Sequence, residues 1–266
     1  MRLKLTIEYA GTRYSGWQIQ KNARTVQGEV ERAIREATGA TWFELYGSGR
    51  TDAGVHALAQ VAHLDIDTTI PAESLRLRLN NALPSDINTL CVEPVDRTFH
   101  ARHDAVARSY VYQIARRRTA FAKAFVWWVK DELDVESMRR AAGAFVGMYD
   151  FRAFSADDPT EKSTKVLLDA FDLREDGDLL VVHLRGSHFL WKMVRRLVGV
   201  LVEVGRGALA IDDAARLRTH RSALPARVTA PASGLFLERV YYPGDPRDQP
   251  ARAAVVLSRF THLPQS

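Results

Sequence analysis

The chain has 266 residues, with 37 Lys+Arg against 32 Asp+Glu and a formal net charge of +5. At 46% hydrophobic and 26% charged, it has a globular composition, which excludes disordered, collagen-like and fibrous classes. One cysteine, Cys91, excludes a disulfide framework and a thiolate-rich zinc site, and no apolar run reaches the roughly 18–20 residues that span a bilayer.

The first six residues alternate like a strand and lack the apolar core of a signal peptide, so the cytoplasm is the expected location. Leu3, Leu5, Ile7 and Tyr9 predict a first strand that ends at Gly11. Thr25 is placed to cap a helix whose apolar side is Val26, Val30, Ala33, Ile34 and Ala37, closed by Gly39. A short strand over 42–46 leads into a glycine-rich segment at 47–54, and 60–67 reads as the next strand. Pro71 opens a helix carrying Leu75, Leu79 and Leu83 that Pro84 stops, and 89–95 is a fourth strand. The order is β-α-β-β-α-β.

The second half repeats this rhythm. Residues 105–115 predict a long strand, and Asp134 caps a helix with Val135, Met138, Ala142 and Phe145 on one side. A hairpin is expected over 165–174 and 179–185, then a helix over 188–204, a shorter one over 211–219 and a last strand over 235–242. Two split β-α-β patterns predict an α+β fold of two ferredoxin-like halves with a joined antiparallel sheet. The halves divide at residues 1–104 and 105–266, the first holding the aspartate loop described next, the second a long strand and an arginine-bearing helix.

Positive charge is concentrated. Residues 97–123 hold seven cations (Arg97, Arg102, Arg108, Arg116, Arg117, Arg118 and Lys123) against Asp104 alone, and residues 192–221 hold seven against three acids. Such clusters suit a polyanion, because each phosphate contact releases condensed counterions. Phe99, Tyr110, Tyr112 and Phe121 among these cations favour RNA, whose unpaired bases stack on rings.

The run Gly47-Ser48-Gly49-Arg50-Thr51-Asp52-Ala53-Gly54-Val55-His56 sets one carboxylate among three glycines, between two strands. It lacks the third glycine and following helix of a dinucleotide fingerprint, and it has no GK[ST] of a phosphate loop. His100-x-x-His103 and the pair His183, His188 come without a carboxylate or thiolate set at ligand spacing, so no metal is expected. An aspartate here either holds its own turn or is offered for chemistry.

On the helix predicted over 188–204, Arg195 neighbours Trp191, Val198, Gly199 and Val202, and therefore projects from the apolar face. Arg196, beside Lys192 and Glu203, is expected in solvent. A buried guanidinium requires a carboxylate partner, and Asp52 is a candidate. At about 4 Å and an effective dielectric near 20, such a pair attracts by roughly 4 kcal/mol before desolvation and keeps the carboxylate ionised, as a nucleophile requires.

The motifs, in order, resemble the tRNA pseudouridine synthase A family over nearly the whole chain. Tyr9-Ala10-Gly11-Thr12-Arg13-Tyr14-Ser15-Gly16-Trp17-Gln18 is similar to that family's opening, and the run from Gly49 to Ala57 to its catalytic loop. Phe99-His100-Ala101-Arg102, Arg108-Ser109-Tyr110-Val111-Tyr112, Asp150-Phe151, Phe154, Phe189-Leu190, Met193-Val194-Arg195 and Gly234-Leu235-Phe236-Leu237 follow in the expected order. Trp191-Lys192 and 230–233 depart from the pattern, away from the residues given chemical roles.

The resemblance implies the pseudouridine synthase fold and an isomerase that converts uridine to pseudouridine at positions 38, 39 and 40 of the tRNA anticodon stem-loop. It implies no cofactor, no metal, no membrane and a homodimer. Asp52 is then the nucleophile, attacking C1′ of the ribose or C6 of the base, and Arg195 holds it charged. Tyr110 stacks on the uracil and helps move the C5 proton, Arg50 fills the space left by the extruded nucleotide, and Arg13, Arg102 and Arg108 contact the RNA. A non-catalytic RNA-binding protein of the same fold is the alternative.

Overall fold

The computed structural model describes residues 1–156, 163–220, 222–247, 250 and 252–257. Arg221, part of the second basic window, lies outside the described residues. Two compact units are formed: Met1–Ser109 with Phe236–Asp248, and Tyr110–Leu235 with Gln249–Ser266. In chain order the elements are β1 (Arg2–Tyr9), α1 (Val26–Thr38), β2 (Phe43–Gly47), β3 (His56–Ile66), α2 (Ala72–Ala82), β4 (Ile87–Val95) and β5 (Ala107–Ala115). They continue with β6 (Trp127–Trp128), α3 (Val135–Gly143), β7 (Gly147–Asp150), β8 (Lys165–Asp176) and β9 (Leu179–Gly186). The chain ends with α4 (Met193–Gly205), α5 (Ile211–Arg216), α6 (Leu224–Arg227) and β10 (Leu235–Tyr241). The fold is mixed α+β with a large, mostly antiparallel sheet.

In the first unit the strand order is β4-β1-β3-β10, with β2 also paired to β3. Alternation on β1 buries Leu3, Leu5, Ile7 and Tyr9. Val26, Val30, Ala33 and Ile34 of α1 and Leu75 and Leu79 of α2 are buried with them. Thr25 caps α1 by accepting a hydrogen bond from the Gly28 N–H, and Gly39 ends it in the left-handed conformation. The closing strand β10 returns to this unit and pairs parallel with β3, setting Phe236 opposite His56.

In the second unit the order is β5-β9-β8-β7, with β6 parallel to β5. Asp134 caps α3 through the Ser137 N–H, and α3 packs on α4 and on β8. Phe145, Phe151, Phe154 and Phe171 form one aromatic cluster in its core.

One element starts later than its periodicity suggests. The helix expected from residue 188 begins at Met193, because Lys192 sits at φ 62° in the left-handed region and cannot be a helical residue. Lys192, the residue before the helix, makes no side-chain cap bond. The short β6, β7 and α6 carry too few residues to show a period and do not stand out in the sequence.

Candidate active site

Asp52 lies on the loop between β2 and β3, half-exposed, while its neighbours are clamped. Thr51 is only 7% exposed and its hydroxyl lies 2.8 Å from that of Tyr9, while its carbonyl accepts the Trp17 N–H at 3.1 Å. Val55 is buried, and its N–H donates to the Asp52 carbonyl at 3.1 Å, closing a tight turn around Ala53 and Gly54. The Gly54 N–H donates to the Tyr14 carbonyl at 3.3 Å, and the Gly11 N–H to Nδ1 of buried His56 at 3.0 Å. The His56 ring is stacked on Phe236 at 4.6 Å.

The segment 9–17 is therefore the bed on which the aspartate loop lies. Its glycines are required by close approach. A Cβ on Gly11 would stand 1.9 Å from the Val55 carbonyl oxygen, and one on Gly16, at φ 93°, would stand 2.5 Å from that of Thr51. Tyr14 anchors the same segment by donating its hydroxyl hydrogen to Asp86 at 2.5 Å, and burial with this bond raises the phenol above its ordinary range. Sequence reasoning finds the glycines and the aspartate but misses this bed, since the bonds that join it to the aspartate loop link residues distant in sequence.

The cations of the first unit divide by role. Arg108 donates to the carbonyls of Ser48 at 3.1 Å, Arg102 at 3.0 Å and Ala105 at 3.3 Å, tying the aspartate loop to residues 102–105. Ser48 is further held by Gln60 at 2.7 Å, which also donates to the Gly49 carbonyl. Arg13, Arg50 and Arg102 are exposed and make no ion pair among the described residues. Beside this loop, Tyr46, His63, His100 and His103 form a chain of ring contacts, with successive centroids 5.3, 4.7 and 4.2 Å apart. Burial, the nearby Arg2 and His100 together push the His63 imidazole down to about 4.

Tyr110 and Arg195 belong to the second unit. The Tyr110 ring is half-exposed and meets Phe189 edge-on at 4.9 Å. Tyr112, two residues on, is buried with its hydroxyl donating to the Pro231 carbonyl at 2.8 Å, a packing role. Arg195 occupies the first turn of α4, half-buried, and its Nε–H donates to the Ala230 carbonyl at 2.7 Å.

One expectation about a cation is corrected. Arg196, expected in solvent, is half-buried and donates to the Ser155 carbonyl, and burial lowers its pKa. The reason is that α4 is buried nearly all round, so the side opposite its apolar stripe is covered by residues 152–155. Arg116 and Arg117, both in the first basic stretch, pair with Glu175 at 2.7 Å and Asp178 at 2.5 Å across the β8–β9 turn.

The model of the tRNA pseudouridine synthase family matches residues 5–104 and 141–243. The chain is 42% identical over 250 residues to the tRNA pseudouridine synthase A of Geobacter sp. strain M21, covering 91% of this chain and 98% of that one. It is 39% identical over 244 residues to the tRNA pseudouridine synthase A 2 of Clostridium tetani, covering 90% and 98%. Against the tRNA pseudouridine synthase A of Rhodopseudomonas palustris it is 42% identical over 244 residues, covering 91% and 99%.

Proposed function

The chain belongs to the tRNA pseudouridine synthase family, and from that membership we propose that Asp52 is the nucleophile of an enzyme acting on the anticodon stem-loop, at positions 38, 39 and 40. The protein is an isomerase that converts uridine in tRNA to pseudouridine. The observation that carries the assignment is the contrast at the loop: Asp52 is accessible while Thr51 and Val55 on either side are buried and bonded.

The reaction breaks the N1–C1′ bond, turns the uracil, joins C5 to C1′, releases the C5 proton and places a proton on N1. Atoms and electrons balance within the substrate, so a carboxylate and a proton carrier are sufficient. Asp52 attacks C1′ of the ribose or C6 of the base and holds the detached fragments in register. Arg195 is the cation given the role of aiming this carboxylate. Tyr110, whose ring is fixed by Phe189, stacks on the uracil and assists departure of the C5 proton.

Arg50, exposed two residues before Asp52, occupies the space in the RNA left by the extruded nucleotide. Arg13, Arg102 and Arg108 contact the RNA, and Arg108 also donates to the Ser48 and Arg102 carbonyls. The working enzyme is a cytoplasmic homodimer without a cofactor. Among the described residues no helix is long and apolar enough to cross a membrane.

Site-by-site mapping of pseudouridine in tRNA after incubation with the purified protein tests this reading. Product at positions 38–40 is expected. Product elsewhere in the tRNA would overturn the target, and tRNA binding without any product would establish the non-catalytic alternative.

A further inference from the structure

Phe121 is 98% exposed, yet the loop that presents it is braced on both sides. Before it, Arg116 is bonded to Glu175 at 2.7 Å and to the Gly177 carbonyl at 2.8 Å, and Arg117 to Asp178 at 2.5 Å. Immediately after it, Ala122 is buried against Val111, Ala115, Val126 and Leu179. The Phe125 N–H donates to the Ala122 carbonyl at 2.8 Å, and Gln113 donates to the Phe125 carbonyl at 2.8 Å. The ring is thus held in solvent by a fixed backbone, which lowers the entropy lost when it meets a partner.

Charge selects the partner. No acidic residue occurs between Asp104 and Asp131, and Arg118 and Lys123, which flank the ring, are exposed and make no ion pair among the described residues. An aromatic face between available cations fits a phosphate chain carrying exposed bases better than it fits a protein surface. We infer that Phe121 stacks on an unpaired base of the bound tRNA, with Arg118 and Lys123 on adjoining phosphates. That base is not the isomerised uridine. The target base is given to Tyr110, the residue proposed to stack on it, which lies on β5 itself, while Phe121 lies on the loop that follows that strand. This last point rests on the catalytic reading given above.

The test compares wild-type protein, Phe121→Ala and Phe121→Trp on one full-length tRNA, measuring KM, kcat, oligomeric state by light scattering and thermal midpoint. For Phe121→Ala, KM is expected to rise about five- to a hundredfold with kcat retained at saturation, and Phe121→Trp to restore KM, because stacking tolerates a change of ring. The thermal midpoint is expected to stay put, since the ring is almost wholly exposed. An unchanged KM overturns the inference. A loss confined to kcat also overturns it, placing the ring at the target base, as does a change of oligomeric state at unaltered tRNA affinity, which assigns the ring to a second copy of the chain. The comparison is a ratio between proteins on an accepted tRNA, so it survives even if mapping finds the modified position outside 38–40.

Discussion

The Tyr9 hydroxyl lies 2.8 Å from the Thr51 hydroxyl, both buried, so the end of the first strand is bonded to the residue before the proposed nucleophile. Tyr9→Phe removes this bond at a cost of about 1 kcal/mol. Because small misplacements of a reacting group are expensive, the variant is expected to lose about tenfold or more in kcat with KM nearly unchanged. Thr51→Val is expected to do the same. A double-mutant cycle in single-turnover kinetics checks it: the pair of changes costs less than the sum of the two if the bond is the shared cause.

Gly11 and Gly49 lie on the same bed and loop but face different surroundings. A Cβ at Gly11 would stand 1.9 Å from the Val55 carbonyl oxygen, whereas at Gly49 nothing lies within 4 Å. Gly11→Ala is expected to destabilise the protein by about 3 kcal/mol or more, through a backbone shift, and Gly49→Ala to leave the fold intact. Denaturant unfolding of the two variants decides this. Equal midpoints would contradict the bed described here.

Arg108 and Arg102 differ in what a conserved charge can rescue. The Arg108 fork spans three carbonyls, a geometry that a lysine ammonium does not reproduce. Arg108→Lys is therefore expected to lower kcat and thermal stability while the salt dependence of tRNA binding stays the same. Arg102→Gln is expected to flatten that dependence by about one slope unit with the fold unchanged. Affinity measured across a salt series, with melting curves, separates the two.

His63 makes stability depend on pH. The residue is 1% exposed, accepts the Ala101 N–H at Nδ1, and has its imidazole held down to about 4, from an ordinary 6.5. Above 6.5 neither the folded nor the unfolded chain protonates this ring. Between 6.5 and about 4 the unfolded chain takes up a proton that the folded chain refuses, so stability falls as pH falls through that window, by at most about 3 kcal/mol. His63→Gln is expected to flatten the slope of unfolding free energy between pH 6.5 and 4. An unaltered slope would locate the effect in other groups.

Legibility in the sequence follows the range of the interaction. The Thr25 cap and the Gly39 stop of α1 are local and can be read directly. Asp52 is legible because glycines cluster about it, and the basic stretch is legible from composition. The start of α4 is not, because the left-handed Lys192 leaves no mark in the periodicity of 188–204. Arg196 is missed for a related reason: a single apolar stripe predicts one buried side, while α4 is enclosed on nearly all of them. The bed under the aspartate loop is made of backbone carbonyls and N–H groups, which carry no side-chain signature, and only its glycines show. Likewise the pairing of Arg116 and Arg117 with Glu175 and Asp178 joins residues far apart in sequence and is not legible in the basic stretch.

The most direct test of the catalytic assignment is release of tritium from tRNA carrying C5-labelled uridine, compared between wild-type protein and Asp52→Asn. The substitution keeps the size of the side chain and removes only its charge and nucleophilicity. The predicted result is release by the wild type and less than about a thousandth of that rate by the variant, with tRNA affinity retained because binding is spread over many phosphates. A variant that retained more than about a hundredth of the rate would exclude Asp52 as the nucleophile.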